Sequence, residues 1–365
     1  MTLMTFVYLI AGLVLLVAGA EVLVRGAARL AAQFGISPLI IGLTVVAFGT
    51  SAPEMAVSVQ AALSGKGDIA IGNVVGSNIF NVLFILGLSA LIVPLVVSQQ
   101  LIRLDAPVMV GASLLAFALA WDGALSRLDG VLLFGCILAY TTMLIIKSRQ
   151  DKAAVAAAAE SLGEYSDDEK AGARTWPKNC ALIIGGLVLL VLGSNWLVEG
   201  AVSLARALGL SELVIGLTVI AAGTSLPEVA TSVIAALKGE RDIAVGNIVG
   251  SNIFNLLAVL GLAALVSPQA INVAQNALAF DFPVMIAVAL ACLPIFFTGY
   301  AINRWEGLLF LAYYVAYTAY LVMSNTGQAF AETFGDAMIG YVVPLTAVTL
   351  LVIASRAWKT QRSVR

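Results

Sequence analysis

A long stretch of this chain occurs twice. Residues 42–88 and 216–262 are identical at 33 of 47 positions, at a constant offset of 174 residues. Weaker similarity extends the repeat, because LDAPVM around Asp105 corresponds to FDFPVM around Asp281. The chain therefore contains two copies of one structural unit, and its fold must give both copies related environments.

The apolar runs within and around each copy predict an all-α membrane protein. The chain is 61% hydrophobic and only 11% charged, whereas soluble domains average about 25% charged residues. A membrane-spanning helix needs roughly 20 apolar residues. Runs of about this length predict ten helices and an eleventh at the C-terminal end, near 4–24, 37–63, 69–96, 106–120, 128–146, 179–198, 211–237, 243–266, 282–298, 305–323 and 339–354.

Each copy holds five of these helices. Because five is odd, the second copy must enter the membrane in the opposite orientation to the first. Such inverted repeats are a recurrent transporter architecture, with the substrate site between them near the bilayer midplane. We therefore predict four parts: a first repeat (1–147), a cytoplasmic linker (148–178), a second repeat (179–325), and an extra C-terminal span with a basic tail (326–365).

The basic residues predict the orientation. With the N-terminus outside, 16 of the 19 Lys and Arg residues lie in the cytoplasmic loops, linker and tail. Positive charge favours the cytoplasmic side. We expect a multi-pass protein of the inner or plasma membrane, with its N-terminus outside and its C-terminus in the cytoplasm.

Polar residues interrupt two of the predicted spans at matching places. Pro53 in GTSAPE and Pro227 in GTSLPE have no N–H, so the carbonyls of Gly49 and Gly223 lose their helical partners. Carbonyls, hydroxyls and a carboxylate on one turn are the hard oxygen ligands that sodium and calcium prefer. Histidine, the commonest metal ligand, is absent from the sequence.

The depth of these residues follows from the hairpins. Glu54 and Asn81 lie equally far from the turn at 65–68, and Glu228 and Asn255 equally far from the turn at 239–242. This distance is about 20 Å at about 1.5 Å per residue, so the four side chains should meet near the midplane. Carboxylates there mark an ion site unless a basic residue pairs with them, and neither span has a Lys or Arg at that depth.

Other polar residues have simpler interpretations. The two amides at the site could instead bond between helices, and Ser77 and Ser251 could bond to their own helix. Asn73 and Asn247 are expected to pack or bond locally. Asp105 and Asp281, each two residues before a proline, are expected to cap helix N-termini.

The paired segments GTSAPE…GSNIFN and GTSLPE…GSNIFN resemble the two alpha repeats of the sodium/calcium exchanger branch of the cation/calcium antiporters, over about residues 1–325. The resemblance implies a ten-helix core, sliding of one helix group past another, and exchange of calcium for sodium. In this chain Asn255 stands where many members of the family have Asp, and the eleventh span is an addition. An Asp at this position is associated with potassium dependence in one branch, so the resemblance implies transport without potassium.

The resemblance also implies roles for individual residues. Glu54 and Glu228 would hold calcium, Thr50 and Thr224 would supply backbone and hydroxyl oxygens, and Asn81 would lie at the centre. The implied flanking sodium sites use Ser51, Ser225, Ser77, Ser251 and the carbonyls of Ala47 and Ala221.

Three other functions remain to be weighed. A calcium/proton antiporter is the main alternative, since two glutamates could carry protons, but the hydroxyl-rich GTS sequence favours sodium. A channel or a membrane scaffold would not need two symmetric broken-helix sites. An enzyme is disfavoured because no nucleophile–base pair or phosphate-binding loop is recognisable. We expect no cofactor beyond the transported ions, and neither nucleic acid nor a required protein partner.

Overall fold

The structure is a computed structural model that describes residues 3–161, 176–208, 221–326, 328, 330–338, 342–349 and 355. The longer helices are α1 (Leu3–Phe34), α2 (Pro38–Thr50), α3 (Ala52–Leu63), α4 (Gly67–Ile92), α5 (Leu101–Leu119), α6 (Arg127–Ser161), α7 (Trp176–Ala207), α9 (Leu226–Leu237), α10 (Arg241–Val266), α11 (Ala277–Phe297) and α12 (Arg304–Asn325). The short elements are α8 (Ala221–Gly223), α13 (Phe330–Ala337) and the strands β1 (Leu95–Val96), β2 (Ala124–Leu125), β3 (Ile271–Asn272) and β4 (Ala301–Ile302).

The helices confirm an all-α membrane protein. Within the described residues, eight helices are long and apolar enough to span a bilayer, and the bent pair α2–α3 makes a ninth. Three helices extend well beyond the C-terminal end of their apolar runs: α1 continues to Phe34, α7 continues to Ala207, and α6 runs to Ser161, into the segment interpreted as a linker. Residues 211–220 of the span predicted at 211–237 and half of the eleventh span at 339–354 lie outside the described residues.

Helices α1 and α7, one from each repeat, cross antiparallel through glycines. A Cβ on Gly12 would lie 2.6 Å from Leu197 N, and a Cβ on Gly193 would lie 2.6 Å from Leu16 N. Gly19 and Gly186 make the same kind of contact. Only glycine permits this backbone approach, and each contact has its counterpart 174 residues away. We call α1 and α7 the paired helices.

The other helices form a central body around α4 and α10. The first hairpin (α2, α3 and α4) and the second hairpin (α8, α9 and α10) face each other there. Asn78 Nδ2 donates to the carbonyl of Asn252, and Asn252 Nδ2 donates to the carbonyl of Asn78, both at 3.4 Å. The short strands in the loops also pair between the two halves of the chain: β1 pairs with β4, and β2 pairs with β3.

The aspartates that open LDAPVM and FDFPVM are not helix caps, so that prediction was wrong. α5 and α11 begin with π-helical turns, at Leu101–Asp105 and Ala277–Asp281, which carry each helix past its aspartate. Asp105 accepts a hydrogen bond from Tyr140 Oη and Asp281 accepts one from Tyr317 Oη, both at 2.9 Å. The carboxylates therefore join helices instead of ending them.

Candidate ion-binding site

Both repeats break a helix at the predicted sequence. The axes of α2 and α3 differ by 47°, and Ser51 between them has φ −79° and ψ 7°. Ser225, between α8 and α9, has φ −89° and ψ 7°. The shared conformation follows from the shared proline two residues later, which cannot donate to the preceding turn.

The break places one carboxylate in the first turn of each following helix. Glu54 lies in the first turn of α3 and Glu228 in the first turn of α9. Unpaired N–H groups give a helix N-terminus partial positive charge, which stabilises an anion there. Both side chains are 0% exposed. In the described part of the chain, no Lys or Arg forms an ion pair with either of them.

Serines of one repeat bind carboxylates of the other. Ser51 Oγ donates to Glu228 Oε1 at 3.1 Å, and Ser225 Oγ donates to Glu54 Oε1 at 2.7 Å. Ser77 Oγ lies 3.2 Å from Ser225 Oγ. The two broken helices therefore form one site, to which each repeat contributes an acceptor and a donor.

A second layer repeats this exchange with threonines and asparagines. Thr50 Oγ1 donates to Asn247 Oδ1 at 3.1 Å, and Thr224 Oγ1 donates to Asn73 Oδ1 at 3.3 Å. The amide nitrogens hold the orientation: Asn247 Nδ2 donates to Ser232 and Asn73 Nδ2 to Ser58, both at 2.9 Å. Asn73 and Asn247 bond within their own hairpins, and they also link the repeats, which the expectation of local packing or bonding did not include.

Asn81 and Asn255 differ in their hydrogen bonds. Each is 0% exposed and begins a π-helical turn, at Asn81–Leu86 and Asn255–Val259. Such turns are frequent at functional sites. Asn81 Nδ2 donates to Asn252 Oδ1 at 3.0 Å, whereas neither amide atom of Asn255 has a hydrogen-bond partner among the described residues.

Several buried oxygens of the site take part in none of these hydrogen bonds. Among the described residues, no hydrogen-bond partner reaches Glu54 Oε2, Glu228 Oε2, Asn81 Oδ1, Asn255 Oδ1 or Ser251 Oγ. Buried polar atoms normally have partners, and those that lack them call for a functional explanation. A cation that prefers oxygen ligands would satisfy such a set.

The backbone carbonyls near the broken turns, unlike the side-chain oxygens above, have hydrogen-bond partners. The carbonyl that Pro227 frees, on Gly223, accepts a hydrogen bond from Ser194 Oγ at 2.7 Å. Ala47 O accepts from Ser51 N at 3.0 Å, and Thr50 Oγ1 lies 3.4 Å from it. Only the backbone of Ala221 is described, within α8. The carbonyls singled out in the sequence thus already have partners at Gly223 and Ala47, although a carbonyl can accept twice.

A helical spacing in the sequence could have identified the missed asparagines. Asn73, Ser77 and Asn81 recur every four residues, as do Asn247, Ser251 and Asn255. Residues four apart share one face of a helix. The face that carries the predicted ligands therefore also carries the asparagines of the second layer.

Comparison with known proteins identifies the same regions. Residues 4–146 and 178–323 match the family model described as sodium/calcium exchanger protein. A relative named putative antiporter CaxA, from Alkalimonas amylolytica, is 40% identical over 87% of this chain and 98% of its own length. Sodium/calcium exchanger MaX1 from Methanosarcina acetivorans is 36% identical over 88% of this chain and 99% of its own.

The fold has a solved counterpart. A structure of the sodium-calcium exchanger NCX_Mj, soaked with sodium and without calcium, superposes with a TM-score of 0.74. It is 31% identical, and the match covers 87% of this chain and 99% of that chain. The similarity therefore extends over nearly the whole length of NCX_Mj.

Proposed function

Since this chain belongs to the sodium/calcium exchanger protein family, and is a cation/calcium antiporter of the membrane, we propose that it exchanges calcium for sodium by alternating access. The observation that carries this proposal is the pair of buried carboxylates that face each other across the two repeats. Ser51 and Ser225 orient one oxygen of each carboxylate and leave the other without a partner among the described residues.

Charge balance supports calcium as one substrate. With amides at positions 81 and 255, Glu54 and Glu228 give the site a formal charge of −2. One calcium or two sodium ions would neutralise it, so either cargo can be moved without burying net charge. Burying an unpaired charge is costly, which couples release of one cargo to binding of the other.

The hydroxyl groups support sodium over protons as the counter-ion. Ser77 and Ser251 each lie one helical turn before an asparagine of the site, and Thr50 and Thr224 precede the broken turns. A proton needs only the carboxylates, whereas sodium is coordinated by several neutral oxygens besides. We propose that these four hydroxyls, with Ser51, Ser225 and the carbonyls of Ala47 and Ala221, serve the sodium ions.

The direct test is calcium-45 uptake by proteoliposomes that contain the purified full-length chain. We expect an outward sodium gradient to drive uptake and an outward proton gradient of the same size to drive none. The Glu54→Gln, Glu228→Gln double variant, reconstituted at the same density, is the matched control. Uptake that follows only the proton gradient would replace this proposal with calcium/proton antiport.

The orientation has its own test. We propose that the turn of the first hairpin faces outside and that of the second faces the cytoplasm. In intact cells, an impermeant maleimide should label Lys66→Cys and should label Glu240→Cys only after permeabilisation. Labelling of both from one side would contradict the inverted arrangement.

A further inference from the structure

The glycine contacts between the paired helices are symmetric, and so are the serine–carboxylate contacts within the central body. The paired helices are nevertheless displaced from the symmetric position against the central body. The side chain nearest to a Cβ built on Gly49 is Leu187, from the other repeat. The side chain nearest to a Cβ built on Gly223 is Val198, from its own repeat. A centred arrangement would have placed Leu13 against Gly223, as the counterpart of Leu187.

An inverted repeat defines what the opposite arrangement must be. If the paired helices move against the central body, the two halves exchange their contacts. In that exchanged arrangement Gly223 lies against Leu13, and Gly49 lies against Val24 of its own repeat. Contacts between the paired helices and the broken turns therefore belong to one arrangement at a time.

Ser194 makes such a contact. Its hydroxyl, on α7 and 4% exposed, donates to the carbonyl of Gly223 at 2.7 Å. The residue 174 positions earlier is Ala20, which has no hydroxyl to offer Gly49 after the exchange. This hydrogen bond therefore exists in only one of the two arrangements.

An ion pair at the surface favours the same arrangement. Lys238, at the end of α9, lies 2.8 Å from Glu21 Oε1 on α1. Their counterparts are Ser64 and Asn195, which cannot form an ion pair. Partly exposed ion pairs contribute little, so the buried Ser194 bond should dominate.

We propose that Ser194 is a positioning residue whose hydrogen bond to Gly223, supported by the Lys238–Glu21 ion pair, stabilises the arrangement seen here over the exchanged one. It thereby sets how often the ion site opens to each side of the membrane. This inference rests on the proposed alternating access. The preference for opening to one side of the membrane then comes from a difference between the repeats, serine at 194 and alanine at 20, and not from the ion site itself.

The test is a distance measurement by pulsed electron paramagnetic resonance, in a background with Cys136, Cys180 and Cys292 replaced by alanine. Nitroxides are attached at Leu3→Cys on α1 and Leu128→Cys on α6, which are 81% and 79% exposed. This pair spans the paired helices and the central body, so two arrangements give two distances. The full-length chain is measured in nanodiscs without calcium or sodium.

Loss of a buried hydrogen bond should change the ratio of the two populations by about threefold to tenfold. We expect Ser194→Ala to shift the populations away from the present arrangement, because it removes the hydrogen bond to Gly223. We expect Ala20→Ser to shift them in the same direction, because it adds the equivalent hydrogen bond to Gly49 in the exchanged arrangement. Lys238→Met should shift it by about twofold or less. Ala20→Ser removes no contact, so it remains informative if Ser194→Ala does not fold.

Distance distributions of Ser194→Ala and Ala20→Ser that overlay the wild type, or a shift towards the present arrangement, would overturn this proposal. Failure of the proposed function would look different: neither calcium nor sodium would change the wild-type distribution. The two results are independent, because the variants are compared in the absence of ions.

Discussion

At their carboxylates the two hairpins meet each other through matched contacts, but they meet the paired helices through unmatched ones. Ser51 binds Glu228 as Ser225 binds Glu54. By contrast, Ser194 binds the second broken turn, and Ala20 offers the first nothing equivalent. The serine–carboxylate bonds of the candidate ion site are thus shared equally between the repeats, whereas the bonds from the paired helices to the broken turns are not. A symmetric site within an asymmetric frame is what an exchanger with two unequal states requires.

The second layer shows the same contrast within the hairpins. Asn247 is 0% exposed, because Gly42 packs against Ile243 and the backbone beside it. Its counterpart Asn73 is only half-buried. The residues that correspond to Gly42 and its neighbours fall within 209–220, outside the described part of the chain. Identical side chains are therefore buried to different extents.

The largest expected effect tests the equality of the carboxylates. We expect Glu54→Gln and Glu228→Gln each to reduce calcium transport at least about 100-fold, because a divalent ion is then left half-neutralised where charge is costly to bury. Calcium-45 flux measures the loss, and an unchanged elution profile in size-exclusion chromatography shows that the variant still folds. Transport near the wild-type rate in only one of the two variants would break the equality.

A smaller effect is expected where the asparagines differ. Asn255→Asp adds a third carboxylate that one calcium cannot neutralise, so we expect transport to fall about tenfold. Wild-type transport should not change when potassium is added. Sodium-driven calcium flux with and without potassium measures both.

Asn81→Asp is the matched control, because Asn81 Nδ2 donates to Asn252 Oδ1 and an aspartate cannot. Both variants bury an added carboxylate, but Asn81→Asp also loses a hydrogen bond, so it should lose more thermal stability than Asn255→Asp. Equal melting temperatures for the two variants would show that the hydrogen bonds of Asn81 and Asn255 do not differ in the membrane.

The smallest effect concerns the second layer. We expect Asn247→Ala to lower the free energy of unfolding by about 1–3 kcal/mol, the usual cost of leaving buried partners unsatisfied. Asn73→Ala should cost less, since the Asn73 side chain itself is only half-buried. Chemical denaturation of both variants in the same detergent provides the comparison. A larger loss of unfolding free energy for Asn73→Ala than for Asn247→Ala would contradict the conclusion that Asn247 is the more buried of the two.

The sequence predicted the helical class and the two helix breaks, because both depend on local rules. An apolar run defines a span, and a proline two residues after Ser51 or Ser225 breaks one. It did not predict that Asp105 would bind Tyr140 on another helix, because a π-helical turn moves the helix start upstream. Nor did it predict the bond from Ser194 to Gly223, because the position of α7 against α8 depends on tertiary packing alone.

The reciprocal contacts between the halves describe a surface that is complementary to itself. Two separate copies of one half-chain, related by a two-fold axis, would form the same interface, as in a symmetric homodimer. In such a dimer every substitution appears twice, so no residue could favour one copy over the other. Covalent joining of the halves removes that restriction, since a serine at 194 can coexist with an alanine at 20. A fused duplicate can therefore acquire a preferred direction that a dimer of identical halves is forbidden by symmetry.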